Sequence, residues 1–342
     1  MTQIIVQFKR FGLFRIAALI GIFGILTVIL MDQVQDTSWF IVDQLYGFTA
    51  IFLGIFIEAA PYLLLGTLAS GLVEEFLDAA SFMKIIPKRG LSGALAGGLL
   101  GLFFPVCECG VVPLTRRLVH KGLPLPVGIA FLLAAPVINP IVIASTLSAF
   151  GFGPIFWGRI GITLGIAVVT GFLFSLQPDA AQVLRHAPFT TNVLSEVINT
   201  SRDHRLSQRF QRVFIVAADE FIEMGKFLVA GALLAALLQT FVPQNALLAL
   251  GSGPAISPLI MAALAAILSI CSTVDAFIAL AFTNTFSAGS ILTFLVFGPM
   301  VDIKSVLMYL RVFRRRTVVY LVMIPLLLSI LAGLMMNLIG GM

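Results

Sequence analysis

Pro105-Val106-Cys107-Glu108-Cys109-Gly110 interrupts an apolar stretch and carries two of the chain's three cysteines together with an acid. Lipid offers no partner to free amides and carbonyls, so backbone that breaks at membrane depth must be received by protein or by a water-filled cavity. A break that also holds thiols and a carboxylate points to a polar working site. The third cysteine lies in a second break, Leu268-Ser269-Ile270-Cys271-Ser272-Thr273-Val274-Asp275, again between apolar half-segments.

Composition gives the class. A chain of 342 residues that is 59% hydrophobic and 11% charged, with mean hydropathy +1.07, reads as an all-α polytopic membrane protein. The net charge of +5 does not argue for nucleic acid, because Lys and Arg gather in short loops between apolar runs. Three cysteines without a His cluster make neither a disulfide framework nor a zinc site. The first apolar run, 16–31, follows Lys9, Arg10 and Arg15, and no small-residue cleavage site follows it, so it is read as a retained span. No Gly-x-x-x-x-Gly-Lys-Ser/Thr loop is present, and neither ATP hydrolysis by that route nor any cofactor is expected.

Hydropathy predicts spans near 13–31, 46–73, 124–150, 154–176, 212–241, 290–312 and 317–340. Regions 91–121 and 256–285 are interrupted near their middles, and each is either a broken span or a hairpin that returns to its own side. Charge favours hairpins. With two re-entrant hairpins, Lys9/Arg10, Lys84/Lys88/Arg89, the basic loop 116–121, the Arg-rich stretch 185–212 and Arg311 to Arg316 all share one face. The acidic loop with Asp32, Asp36 and Asp43 and the uncharged loop 242–255 then lie on the other. This places the N-terminus in the cytoplasm of a prokaryotic cell, in its inner membrane.

An internal repeat supports the same topology. Phe56-Ile57-Glu58 through Phe76 aligns without gaps to Phe221-Ile222-Glu223 through Phe241, with 8 identities in 21 positions and an offset of 165. Near that offset Cys107 matches Cys271, and Pro136-Val137-Ile138-Asn139 matches Pro299-Met300-Val301-Asp302. Three crossings per repeat would turn the second repeat upside down. Inverted repeats that meet at interrupted helices are a transporter signature, with the site at their shared midplane. The expected organisation is an N-terminal transmembrane helix and external loop at 1–44, a first membrane repeat at 45–176, a cytoplasmic basic linker at 177–211 and a second repeat at 212–342.

The stretch from Phe104 through Cys107, Glu108 and Cys109 to Pro113, followed by Ala130 to Pro140, resembles the predicted permease family that includes YraQ and the organoarsenical efflux permease ArsP. Ile270-Cys271-Ser272-Thr273-Val274-Asp275-Ala276-Phe277 and Phe297-Gly298-Pro299-Met300-Val301-Asp302 fit it too, and the resemblance covers roughly 45–340. It implies a permease, and its better-known members expel trivalent organoarsenicals. Glu108 stands where a small polar residue is the more usual occupant.

The thiols have a chemistry of their own. Thiolates bind soft metals and metalloids. Cys109 and Gly110 open the returning half-helix, where free N–H groups and the dipole favour a thiolate, while Glu108 opposes it by like-charge repulsion. Cys107 and Cys109 are expected to act as soft metalloid ligands, converging only because the backbone between them is irregular, and Cys271 would complete a three-thiol site if the two tips touch. Against this stands the tendency of free cysteine to pack as a small hydrophobe.

Charges at membrane depth come next. A charged group there costs about 2.5–3.5 kcal/mol, so Glu58 and its repeat partner Glu223 should face a cavity or a partner, or carry a proton. Lys226 lies one turn from Glu223 and is expected to neutralise it. Glu58 has no basic neighbour on its own helix and is the better proton-coupling candidate, with Glu108 and Glu223 beside it. Asn139, Asp275 and Asp302 are expected to contact substrate along with the cysteines, the alternative being repair of hydrogen bonds lost at the prolines. Asp219 and Glu220 are expected at the surface, and His120, His186 and His204 are too scattered for a metal site.

The sequence therefore predicts a non-enzymatic secondary permease that exports a small thiophilic or neutral solute in exchange for protons. The alternative is a thiol–disulfide redox carrier using Cys107 or Cys109 with Cys271. Expected partners are the solute and the bilayer, with a second copy of the chain and a thiol-redox protein as further candidates, and no nucleic acid.

Overall fold

The computed structural model describes residues 39–76, 90–104, 106–176, 183, 206–241, 253 and 256–340. The expected span 13–31, the loop basics Lys84, Lys88 and Arg89, the loop 242–255 except for Gly253, and all of the linker 177–211 but Val183 and the opening of its last helix lie outside those residues.

Every described regular element is a helix: α1 (Trp39–Phe76), α2 (Gly90–Leu100), extended by a single 3₁₀ turn at Gly101–Phe103, α3 (Glu108–His120), α4 (Leu125–Ala134), α5 (Pro140–Phe150), α6 (Pro154–Ser175), α7 (Leu206–Phe241), α8 (Ser257–Leu268), α9 (Asp275–Leu280), α10 (Ala288–Met300), α11 (Ile303–Val312) and α12 (Arg315–Gly340). The chain forms two units, Met1–Ala50 and Ile51–Met342. Of the first, the described part is the opening of α1, where Thr49 donates to Leu45 O at 2.9 Å. Among the described residues, five stretches are long and apolar enough to cross a membrane: Gln44–Phe76, Pro154–Ser175, Arg209–Phe241, Ala288–Val312 and Arg315–Ile339. The chain is a multi-pass helical membrane protein.

Helix starts follow local chemistry. Pro140 and Pro154 occupy the first positions of α5 and α6, and Pro126 and Pro258 the second positions of α4 and α8, where a missing N–H costs nothing. Breaks are as local. Ser269 takes a left-handed conformation, φ 47°, and stops α8, while Cys107 is extended at ψ 179° ahead of α3. The stretches 124–150 and 290–312, expected as uninterrupted spans, are each two half-helices. Pro136 and Pro140 flank the first interruption, and Pro299 precedes the second.

Side-by-side contacts give the direction of each element. Gly97 packs on Val127 and Gly101 on Ala135, so α2 and α4 run parallel. The short turn at 121–124 makes α3 and α4 antiparallel, and α2 and α3 accordingly run in opposite directions. Lys121, just past α3, donates to Val73 O at 2.8 Å and to Glu74 O, at the end of α1. Gly66 and Gly110 meet backbone to backbone; a Cβ on Gly66 would fall 2.2 Å from Gly110 Cα, and one on Gly110 would lie 3.0 Å from Gly66 Cα. Helices α1 and α3 thus run parallel. In the second half Ser257 and Ser290 share a hydrogen bond of 2.5 Å and Ala265 packs on Gly298, so α8 and α10 run parallel. Thr293 donates to Ser329 O at 3.2 Å in the antiparallel pair of α10 and α12. Gln239, near the end of α7, donates to Ile267 O and Leu268 O at 3.2 and 3.0 Å. The largest buried cluster gathers Val106, Cys107, Cys109, Ile138, Cys271, Met300 and Tyr309, residues of all four breaks and the helices beside them.

Arg116 and Arg117, expected in a basic loop, lie in the last turns of α3 and are buried. A charge needs a partner there. Arg117 pairs with Glu220 at 3.5 Å and Glu74 at 3.3 Å, and Arg116 with Glu223 at 3.5 Å. Glu220 is therefore a buried ion-pair partner and no surface charge, whereas Asp219 is exposed as expected.

Candidate functional site

Four half-helices begin at the four breaks, and the singled-out polar residues stand at their N-termini. Such a terminus leaves backbone N–H groups unpaired and carries about half a positive charge, so acids and amides collect there. Glu108 lies in the first turn of α3 behind Cys107, which is its N-cap. Asn139 caps α5, accepting from Ile141 N at 3.1 Å and Val142 N at 3.0 Å, and its amide donates to Ala135 O at 3.0 Å and Val106 O at 3.5 Å. Asp275 opens α9. Asp302 caps α11 in a capping box, with Ser305 N donating to Oδ1 at 2.7 Å and Asp302 N donating to Ser305 Oγ at 2.9 Å. Asn139 and Asp302, matched in the repeat, hold the same post on matched half-helices.

Lys304 ties the two tips together. Its ammonium donates to Ser269 O at 2.6 Å, in the second break, and to Glu108 Oε1 at 3.5 Å, beside the first, and lies 3.3 Å from Asp302 Oδ2. Lys304, Glu108 and Asp302 are each no more than 2% exposed. Glu108 Oε2, Asp302 Oδ2 and Ser272 Oγ are buried without a hydrogen-bond partner among the described residues. Cys107, Cys109 and Cys271 lie in one buried cluster at the two breaks, and all three thiols are free. Thr273 donates to Cys271 Sγ at 3.5 Å. The contact does not make a preformed metal cage: among the described residues no group of three or more His, Cys, Asp and Glu is arranged to hold a metal ion.

Asp275 stands apart from this cluster's hydrogen bonds. Arg159, in α6, grips it with Nη1 to Oδ1 at 3.0 Å and Nη2 to Oδ2 at 2.6 Å, and donates to Thr146 at 2.9 Å. Glu223 is held by Arg311 at 2.7 Å and by Arg116 at 3.5 Å. The expected Lys226 partner is exposed and forms no ion pair with it among the described residues. Glu58 is half-buried and makes no hydrogen bond or ion pair among the described residues, with the Lys304 charge as its nearest opposite field. Sequence reasoning missed Arg159 and the bridging role of Lys304. Both had a signal, a cation well inside a predicted span.

The profile of a family described as "Predicted permease", ArsP_1, matches residues 44–338. The UPF0718 protein YcgR of Bacillus subtilis (strain 168) is 42% identical over 291 residues, covering 83% of this chain and 94% of that protein. A Streptococcus mutans serotype c (strain ATCC 700610 / UA159) protein named "Putative two-component membrane permease complex subunit" is 35% identical over 283 residues, covering 80% of this chain and 89% of that protein. No solved structure matches the chain. With the half-helices, the buried cluster and a match spanning both halves, the chain belongs to the ArsP_1 family of predicted permeases.

Proposed function

We propose that the protein is a secondary permease of two inverted repeats that exports a small thiophilic or neutral solute against protons, with its site where the two tips meet. The observation that carries this reading is the junction of Lys304 with Glu108 from one break and Ser269 from the other, beside Cys107, Cys109 and Cys271. A midplane site made by discontinuous helices from two halves is how such transporters expose one locus to each side in turn.

The helix directions support two re-entrant hairpins. Helix α3 is capped at Lys121, beside Glu74 at the end of α1, and α2 runs alongside α4 away from that same end. The last residues of α8, Ile267 and Leu268, accept from Gln239 near the end of α7, and α8 runs parallel to α10. The first hairpin then enters from the face rich in Arg and Lys, cytoplasmic by the positive-inside rule, and the second from the opposite face. Repeats at 45–176 and 212–342 follow, with Glu58 carrying the coupling proton because it alone of the repeated acids has no cation bound to it.

Burial of Cys107 and Cys271 in one cluster at the two breaks also suits a carrier that oxidises the two thiols to one disulfide, giving two protons and two electrons to a thiol-redox partner protein. The name of the Streptococcus relative makes a second membrane subunit a further candidate partner.

Methylarsenite accumulation in everted vesicles under an imposed proton gradient tests the reading. Uptake by the native chain that Cys107→Ser/Cys109→Ser loses is the expected result. Native uptake that persists in that variant refutes thiol-dependent export. A Cys107–Cys271 disulfide that cycles in cells without any uptake favours the carrier.

A further inference from the structure

Basic side chains at the Arg-rich end fall into two groups. Arg116, Arg117, Arg209 and Arg311 are each held by a carboxylate of Glu74, Glu75, Glu220 or Glu223. Arg314, Arg315 and Arg316 are not. All three are exposed, and among the described residues none of them forms an ion pair. The first turn of α12 supplies no acid to offset them. The backbone beneath them is fixed, since Arg314 N at 3.0 Å and Thr317 Oγ1 at 3.4 Å both donate to Val183 O. Three like charges in a row repel one another, and an anion from outside the chain would relieve that repulsion.

Arg315 and Arg316 also head an apolar face. Val319, Tyr320, Met323, Leu327 and Leu331 follow them at helical spacing, each between 43% and 61% exposed. Helix α12 is one of the stretches long and apolar enough to cross a membrane. On such a helix the exposed apolar face meets acyl chains, while guanidinium groups and a tyrosine at its head reach the headgroup layer.

We propose that the head of α12 is a docking site for an anionic phospholipid, with its phosphate held by Arg315 and Arg316 and its acyl chains lying along Val319, Met323 and Leu327. A guanidinium offers a planar fork of donors that matches phosphate oxygens in pairs. A zwitterionic lipid carries its own cation and gains less from the triplet. The site starts two residues beyond α11, whose other end carries Asp302 and Lys304 and whose last turn holds Glu223 through Arg311. A lipid bound here steadies the base of α11, whatever solute the protein moves.

The test titrates the purified full chain in neutral detergent with phosphatidylglycerol, phosphatidylcholine or inorganic phosphate and reads the thermal midpoint. Phosphatidylglycerol is expected to raise Tm clearly more than phosphatidylcholine, and phosphate to leave it level. Arg315→Gln/Arg316→Gln should keep the lipid-free Tm, because both side chains are exposed and glutamine suits a helix. Its apparent affinity for phosphatidylglycerol should fall by about fivefold for each arginine removed. Lys226→Gln, which removes an exposed cation from α7, should bind phosphatidylglycerol as the native chain does. Equal rises with the two lipids, or an unchanged response in the double variant, overturn the proposal. An equal loss in Lys226→Gln would reduce the effect to net charge and overturn it too. A rise with phosphate that matches phosphatidylglycerol would assign the arginines to a free anion and refute the lipid.

Discussion

Arg159 and Asp275 meet as a buried fork, two parallel N–H···O bonds of 3.0 and 2.6 Å between α6 and the first residue of α9. Both side chains are at most 3% exposed. Each charge is tolerable only because the other is there.

Removing one partner strands the other. Asp275→Asn or Arg159→Met should each destabilise the protein by about 3–5 kcal/mol, and the double replacement by clearly less than the sum. A double-mutant cycle on unfolding in detergent checks it. Full stability of Asp275→Asn with lost transport would return Asp275 to the role of cargo ligand.

Helix contact at Gly66 leaves no space. A Cβ there would lie 2.2 Å from Gly110 Cα, whereas one on Gly161 would meet nothing within 4 Å. Gly66→Ala should therefore separate α1 from α3 and lower Tm, and Gly161→Ala should leave it level or raise it, since Ala favours a helix over Gly by about 0.5–1 kcal/mol. Equal Tm values for the two variants would contradict the packing.

Glu223 joins α3 to α11 through Arg116 and Arg311. Glu223→Gln should loosen the Arg-rich end and speed alkylation of Cys109 by an impermeant maleimide added from that side. Glu58→Gln breaks no ion pair and should alter proton coupling with little change in Tm. Coupling that survives Glu58→Gln would move the proton to Glu108.

Cys107 and Cys271 lie in one buried cluster at the two breaks. Mild oxidation should link them and arrest transport, and a reductant should restore it; mass spectrometry of the peptides reads the bond. A Cys107–Cys109 bond alone would show that the tips do not meet in the membrane.

Much of this was legible in the chain because the breaks are written locally. Proline, cysteine and acid together at Pro105 to Cys109 mark an interruption that lipid would not tolerate, and Cys107 is extended there ahead of α3. The reading of Asn139 and Asp302 was split between cargo contact and repair of the backbone, and capping geometry shows the repair. Partners set by tertiary contact were not legible. Lys226 sits one turn from Glu223, yet the acid turns toward Arg311, 88 residues away, because that side of α7 faces protein. Arg117 and Glu220 read as surface charges for the same reason. Spans 124–150 and 290–312 looked continuous because hydropathy averages over a two- to five-residue break.

Side-specific labelling of the two hairpin bases is the most direct test of inverted repeats that meet at their tips. In a chain whose three cysteines are replaced by serine, His120→Cys and Asn284→Cys place single exposed thiols at the end of α3 and after α9. An impermeant maleimide should reach position 120 only from the cytoplasmic face and position 284 only from the opposite face. Both positions labelled from one face, or position 120 labelled from outside, would contradict the inverted architecture and the shared site built on it.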